Sequence, residues 1–410
     1  MNSPRYYPIE IAGTTFNVSE SSIKELTLQR ALARAHRKDM TFCRCSILHP
    51  VKLVVRCYGA GTPNMYFDLA KWQETGLDHH PDCVFFGEDS HHESSKDTQP
   101  AFQELSPGKW LVHLSTALSI IQRNIDNINA KKDAVAQGKK NTQQRASDIS
   151  LLLNLWRRAN LNIYRGKPRN WFKTTFMLLN TAKNFHVNKK GGLLSEYLLV
   201  GGGSTDKLAI EHNKNVIKAC TVEHRRLFVI GRLAPFDRDK QRLMLKFKDY
   251  GGLPRISVLL EQLDNMISNR TFYKNVLVGN VGNVIVIACI EPSTNGWWKT
   301  VNIGSMAVSE NFIPVESSFE IEFENYLSSN ERVFLKPLVV DESNDDVKRP
   351  DYILLDTNPR SFIEVWGMQT PEYLENKAKR IEEYQRNGKL LISWSANPRE
   401  EFPALPTKSK

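Results

Sequence analysis

The chain has 410 residues, a formal net charge of +10, and a composition that is 41% hydrophobic and 24% charged. That length accommodates roughly two to four units of about 100–200 residues, each able to bury its own core. No run approaches the ~20 apolar residues of a membrane span, and Met1-Asn2-Ser3-Pro4-Arg5-Tyr6-Tyr7 lacks the apolar core of a signal peptide, so a cytoplasmic protein with no membrane partner is expected.

The first stretch reads as a small module, residues 1–106. A helix-like run from Ser22 to Arg37 opens with a capping box in which Ser22 caps and Glu25 answers three positions later. Cys43-Arg44-Cys45 follows, then the alternating strand Val51 to Cys57, then Leu77-Asp78-His79-His80-Pro81-Asp82-Cys83. Four of the six cysteines fall in the first 83 residues, and in a cytosolic chain such clustering argues for metal over disulfides. Zinc takes four soft or borderline ligands in a tetrahedron, and paired ligands on tight turns bring them two at a time. Cys43, Cys45, His80 and Cys83 supply such pairs, with His79 able to replace His80 and Cys57 able to compete. Four protein ligands leave no open position, so the expected zinc is structural. The plainer reading is that these are small buried cysteines packed as apolar groups. The polar stretch 87–107, with His91 and His92, reads as a linker.

Residues 107–200 read as a basic helical domain. Helical spacing appears from Leu111 to Ala130, from Ile149 to Ala159 and from Trp171 to Phe185, and a loop with Lys189 and Lys190 at a Gly turn gives a weak likeness to a winged helix-turn-helix. Between Arg123 and Lys190 there are 15 Lys or Arg against Asp126, Asp133 and Asp148, so the excess positive charge of the chain is concentrated here. That is the footprint of a polyanion-binding surface, or more plainly of a solvated helical face; nucleic acid, DNA ahead of RNA, is the expected partner, although phosphate contacts alone do not separate the two. Arg157, Arg158, Arg165, Lys167, Arg169, Lys173, Lys189 and Lys190 are the candidate contacts. Trp156, Tyr164, Trp171 and Phe172 lie among them and could stack on bases, although aromatics at helical spacing are more often core.

Residues 201–312 read as a β-rich domain. Gly201-Gly202-Gly203-Ser204-Thr205 follows a strand but lacks the Gly-Lys-Ser/Thr ending of a phosphate loop and a helical continuation, so a flexible turn is expected. Strands are expected at 227–230, 243–247, 276–278, 284–290 and 298–303, with a helix-like run from Arg255 to Asn265 and a hairpin connection at Asn280-Val281-Gly282-Asn283.

The last unit, 313–410, begins with a helix from about Val315 to Leu327 that carries Glu316, Glu320 and Glu324 as a stripe, with Phe319, Phe323 and Tyr326 on its packing side. Val333 to Leu338 forms a strand, Asp351 opens the next, Glu364 lies within the third, and a helix follows from Pro371 to Asn387. Helix, three strands and helix with acids in this order resembles the core of the PD-(D/E)XK nuclease superfamily, with Pro350-Asp351 and Glu364-Val365-Trp366 in the positions of its motif. The resemblance implies a metal-dependent phosphodiester hydrolase in which Asp351 and Glu364 hold magnesium or manganese, Glu320 completes the set, and a lysine supplies positive charge. Trp366 stands where that lysine belongs, and Lys377, sharing a helical face with Tyr373, Ile381 and Tyr384, is the expected replacement, ahead of Lys379 and Arg380. Cys43, Cys45, His80 and Cys83, together with Lys336-Pro337-Leu338, Arg349-Pro350-Asp351 and Glu364-Val365-Trp366-Gly367, also resemble a bacterial family borne on plasmids and integrative elements. The expected protein is therefore an α+β multidomain chain with a zinc-binding N-terminal module, a helical and β-rich middle and a C-terminal nuclease-like domain. Its rival is a DNA-binding or assembly factor whose nuclease-like domain is inactive.

Overall fold

The computed structural model describes residues 6–19, 22–38, 40–46, 49–73, 75–87, 98–106, 108–120, 142–188, 191–236, 242–267, 271–279, 281–338 and 349–409. It divides into two compact units, Met1–Leu111 and Val112–Lys410, each mixing helix and strand. No helix among the described residues is long and apolar enough to cross a membrane.

In the first unit an antiparallel sheet runs in the order Thr14–Phe16, Ile9–Ile11, Thr41–Cys43, Val51–Tyr58, Tyr66–Lys71. The alternation in Val51–Tyr58 puts Val51, Leu53 and Val55 on one buried face. Helix α1 (Leu26–Ala35) packs there through Leu28, Leu32 and Ala35, one stripe at helical spacing. Its start departs from the expected capping box: the Ser19 amide donates to Ser22 Oγ at 2.7 Å, Ser22 opens a short 3-10 turn, and α1 begins after Glu25 with no side-chain cap.

The second unit holds two larger sheets. One runs Leu198–Val200, Leu227–Arg232, Asn283–Pro292, Trp298–Val308, Ile256–Leu259, Arg242–Met244, with Pro314–Val315 beside Trp298–Val308. The first eight residues of Asn283–Pro292 are all buried, which is why this strand reads as an unbroken apolar run. Helices α2 (Asp148–Arg158) and α3 (Trp171–Ala182) pack on this sheet. Each starts on a side-chain cap, Ser147 Oγ accepting from the Ser150 amide at 3.2 Å and Asn170 Oδ1 from Lys173 at 3.0 Å. Helix α4 (Lys207–Val222) follows the triglycine turn and is capped by Asp206. A helix therefore does continue from the glycines, contrary to expectation. The glycines serve packing: a Cβ on Gly201 would lie 2.6 Å from the Asp249 carbonyl and one on Gly202 2.8 Å from the Ala209 Cβ.

Further expectations change in this unit. Residues 113–120 are irregular where a helix from Leu111 to Ala130 was expected, because Trp110, Leu111 and Val112 are buried as consecutive residues of the strand Lys109–Val112; residues 121–141 lie outside the described set. Residues 276–278 belong to α6 (Thr271–Gly279) and Asn283 opens the strand Asn283–Pro292, so no hairpin joins two strands there; Asn280 lies outside the described residues. The run Arg255 to Asn265 divides into the strand Ile256–Leu259 and α5 (Leu260–Ile267).

The other sheet runs Ile163–Arg165, Val333–Leu335, Tyr352–Leu354, Ser361–Trp366, Leu390–Ser395. Its first four strands are antiparallel and the last is parallel to its neighbour, as α8 (Pro371–Arg386) requires of the crossover between them. Helix α7 (Ser318–Ser329) covers one face, with Phe323 and Leu327 packed among Phe334, Tyr352 and Trp394. Because residues 163–165 form an edge of this sheet while α2 and α3 pack on the other, 107–200 is shared between two sheets and is not a separate helical domain.

Candidate functional site

In the first unit two short segments bring four ligand atoms together. Cys43 ends a strand and Cys45 lies two residues on, while His79 and Cys83 bracket a turn closed by the Cys83 amide donating to the His80 carbonyl at 2.7 Å. The ligand atoms of Cys43, Cys45, His79 and Cys83 all lie within 4.8 Å of one another, and all four residues are buried. Cys43 Sγ is 3.7 Å from Cys83 Sγ, and His79 Nδ1 is 3.2 Å from Cys45 Sγ and 3.7 Å from Cys83 Sγ. A tetrahedral zinc with bonds of about 2.3 Å to sulfur sets sulfurs about 3.8 Å apart, so this Cys3His cluster could hold a metal such as zinc.

The histidine is His79, where the sequence reading preferred His80. His80 turns away: its Nδ1 is 3.0 Å from the Tyr7 hydroxyl and accepts from the Asp82 amide at 3.1 Å. Its backbone amide contributes instead, donating to Cys45 Sγ at 3.3 Å. Cys57 stays outside the cluster and half-buried. The electrostatics fit a cation. Hydrogen bonds from Cys43 and Cys83 pull the Cys45 thiol far below its ordinary value, while the bond with Cys45 pushes Cys43 up to about 12 and the bonds with both push Cys83 up. Protein groups alone thus let one of three packed thiols ionise; a divalent cation lets all three.

In the second unit Glu320 and Asp351 converge, but the lysine between them is Lys336. It leaves the end of the strand Val333–Leu335, held in register by its amide on the Asn162 carbonyl and by Asn162 Nδ2 on its own carbonyl, both at 2.9 Å. Lys336 Nζ lies 2.8 Å from Glu320 Oε2 and 3.6 Å from Asp351 Oδ1. Glu320 Oε2 also accepts from the Glu316 amide at 3.1 Å, so the residue closes the first turn of α7 behind the cap Ser317. Asp351 Oδ2 accepts from the Val365 amide at 2.7 Å, tying it to the strand that carries Glu364. Burial works against the Lys336 ammonium, yet the carboxylates of Glu320 and Asp351 outweigh it and hold its pKa above the ordinary value. Burial, with the Asp351 charge adding to it, raises Glu320 to about 7.

Glu364 has different partners. Its Oε1 accepts from Arg380 Nε at 2.6 Å and from the Tyr384 hydroxyl at 2.8 Å, and burial followed by the Asp351 charge raises it to about 7. Lys377 does not join the acids; its Nζ donates to Ser395 Oγ at 3.0 Å and lies 5.2 Å from the centre of the Trp366 ring. Trp366 is buried at 6% exposure and packs edge-on against Tyr373. Glu324, the last acid of the expected stripe, is fully buried, with Oε1 accepting from Asn311 at 3.1 Å. Lys336 was readable as the one charge in Val333-Phe334-Leu335-Lys336-Pro337-Leu338, a position that burial makes costly without a partner.

The basic segment is less available than its composition suggests. Arg157 and Arg169 are buried, and Arg169 donates to the Leu161 and Ile163 carbonyls at 2.7 and 2.5 Å, bracing the chain between α2 and α3. Arg158, Arg165 and Lys173 are half-buried and Lys167 is exposed, while Lys189 and Lys190 lie outside the described residues. Trp156, Tyr164 and Trp171 are core residues; Phe172 and Phe176, one turn apart on α3, are 57% and 59% exposed.

A family model described as protein of unknown function (DUF1173) matches residues 16–396. No curated protein and no solved structure matches the chain.

Proposed function

The chain belongs to that DUF1173 family, and we propose that it is a nucleic-acid-directed phosphodiester hydrolase whose C-terminal sheet carries the reaction and whose N-terminal unit is held by a structural zinc. The observation that carries the reading is the meeting of Glu320, Asp351 and Lys336 at one end of the sheet, in an element order of helix, three antiparallel strands, helix and parallel strand. A lysine supplied by the first strand restores the positive charge that Trp366 removes from the third. This supports a PD-(D/E)XK-like site with its lysine moved.

The carboxylates fit a hard divalent cation in donor type and in charge, since one ammonium and one guanidinium face three acids and two of those acids are raised to about 7. They do not form a closed ligand set in this conformation: among the described residues the acids are not gathered within ligand distance of one another, and Arg380 and Tyr384 hold Glu364. Asp351, at 23% side-chain exposure, is the accessible member. Bound by Asp351 and Glu364, magnesium or manganese would polarise a phosphodiester and lower the pKa of its water. Lys336 positions Asp351 and Glu320 and keeps a positive charge beside the phosphate, and the Val365 amide fixes the Asp351 carboxylate. Lys167, Lys173 and the exposed Phe172 and Phe176 supply the kind of contacts a nucleic acid needs, charges for phosphates and rings for bases.

The second reading is a binding or assembly factor without cleavage, and the Arg380–Glu364 pair at 2.6 Å is what favours it. Incubating the protein with single- and double-stranded DNA and RNA in magnesium or manganese separates the two. Hydrolysis that Glu364→Gln abolishes supports the enzyme; binding with no product under any metal supports the factor.

A further inference from the structure

Helix α3 shows solvent a face that its own packing does not use. Trp171, Thr174, Thr175, Leu178 and Ala182 bury one side of the helix. Phe172, Phe176, Asn180 and Lys183 recur at helical spacing on the other side, and all four are exposed. Two phenyl rings one turn apart at the surface make a contiguous apolar patch where a solvated helix face would be polar. The flanks are basic. Lys167 is exposed just before the helix, Lys173 stands half-buried beside Phe172, and Lys183 closes the last turn.

Nothing negative within the segment offsets that charge. Residues 149–195 contain no Asp or Glu, and among the described residues none of the three lysines is in an ion pair. Asp206, the acid that α3 meets at Thr175, is 5% exposed and is committed to capping α4, its Oδ1 accepting from the Ala209 amide at 3.0 Å.

A face of this composition suits either a protein or a nucleic acid. Protein–protein interfaces are rich in aromatics but depleted of lysine, whereas a nucleic-acid strand takes rings for its bases and ammonium groups for its phosphates. The lysines at both ends and the missing acids favour the strand. Helix geometry then favours an unpaired one. Phe172 and Phe176 lie about 6 Å apart along the helix axis, against about 3.4 Å between neighbouring bases of a stacked strand. Successive rings therefore meet successive bases only once those bases have come unstacked, and in a duplex the base faces are covered by their neighbours.

We propose that the outer face of α3 is a binding surface for single-stranded nucleic acid, with Phe172 and Phe176 stacking on unpaired bases and Lys167, Lys173 and Lys183 holding the flanking phosphates. Resting on the nucleic-acid-directed function proposed above, the assignment narrows the substrate class to unpaired strands and requires no cleavage.

Fluorescence anisotropy of the full-length protein tests it, with labelled oligothymidylate of about 16 nucleotides and a duplex of equal length. No magnesium or manganese is added, and the salt is held at about 0.15 M so that purely electrostatic binding is weakened. The expected result is a preference of about tenfold or more for the single strand, and a loss of about fivefold or more in Phe172→Ala and in Phe176→Ala with little change in duplex binding. Phe176→Trp, which keeps a π-face, should bind as the wild type does. Phe176→Leu, which keeps apolar bulk alone, should lose as much as the alanine variant. Thermal melting establishes that these variants fold. Equal affinity of the wild type for the two forms, or single-strand binding retained in full by folded Phe172→Ala and Phe176→Ala, overturns the inference and leaves the wider nucleic-acid reading in place. Binding to neither form overturns both; a wild type that then sediments as a dimer, made monomeric by Phe176→Ala, assigns the face to a second copy of the chain.

Discussion

Lys336 and Glu320 form a buried ion pair, Nζ to Oε2 at 2.8 Å, with both side chains no more than 8% exposed. The pair joins the end of the strand Val333–Leu335 to the first turn of α7, and Asp351, just before the strand Tyr352–Leu354, shares the lysine. Removing the cation alone leaves Glu320 buried and Asp351 half-buried without it. Lys336→Met should therefore destabilise the protein by about 3–5 kcal/mol in denaturant unfolding. Lys377→Ala, which breaks one bond to Ser395 at a half-buried position, should cost about 1 kcal/mol or less. Equal losses from the two variants would contradict the assignment of Lys336 as the central lysine.

The N-terminal cluster predicts about one zinc per chain in purified protein. His79→Ala should lose the metal and melt the first unit, while His80→Ala should retain it, because only the His80 backbone amide reaches Cys45. Elemental analysis of the two variants decides it. Zinc lost from His80→Ala and kept in His79→Ala would reverse the ligand assignment.

Glu324 predicts a pH dependence. Burial raises its folded pKa to about 7 from 4.5, so the folded state binds the proton more tightly than the unfolded chain. Its contribution is full below about pH 4.5 and is lost as pH rises through 7. Glu324→Gln mimics the protonated form, and at pH 8 it should be the more stable protein by about 2–3 kcal/mol. At about pH 4, below both values, the difference should all but vanish. A wild type more stable than Glu324→Gln at pH 8 would show that ionised Glu324 is paired.

The basic segment divides by burial. Lys167→Ala and Lys173→Ala should weaken nucleic-acid binding and lower its salt slope by about one each, with no change in melting temperature. Arg169→Ala should instead lower stability, because its guanidinium holds the Leu161 and Ile163 carbonyls inside the fold. Fluorescence anisotropy over a salt series, with melting curves alongside, separates the two classes.

The local patterns that carried most in the sequence were those set by near neighbours. The Cys-x-Cys and His-x-x-Cys spacings located the cluster but picked His80; choosing His79 instead needed the direction of the turn, which sequence spacing does not carry. The alternation of Val51 to Cys57 and the acids of the last unit marked their elements for the same reason. The lysine that lies beside the acids was missed because helical periodicity places Lys377, Ile381 and Tyr384 on one face without saying which carboxylate that face meets. Register across the sheet decided it: Lys336 faces Glu320 and Asp351, while Arg380 and Tyr384 take Glu364. The domain boundary at 200 failed on a long-range pairing, Ile163–Arg165 with Val333–Leu335, which no local pattern encodes.

The most direct test of the account is manganese-dependent cleavage of labelled nucleic acid, compared at equal protein concentration for the wild type, Asp351→Asn and Lys377→Ala. Asp351→Asn keeps the shape of the group that Lys336 and the Val365 amide hold, and removes its charge. The account predicts cleavage by the wild type, a rate near the wild type's for Lys377→Ala, and a loss of about a hundredfold or more for Asp351→Asn. Cleavage by Asp351→Asn at the wild-type rate, or none by the wild type on any substrate, would contradict it.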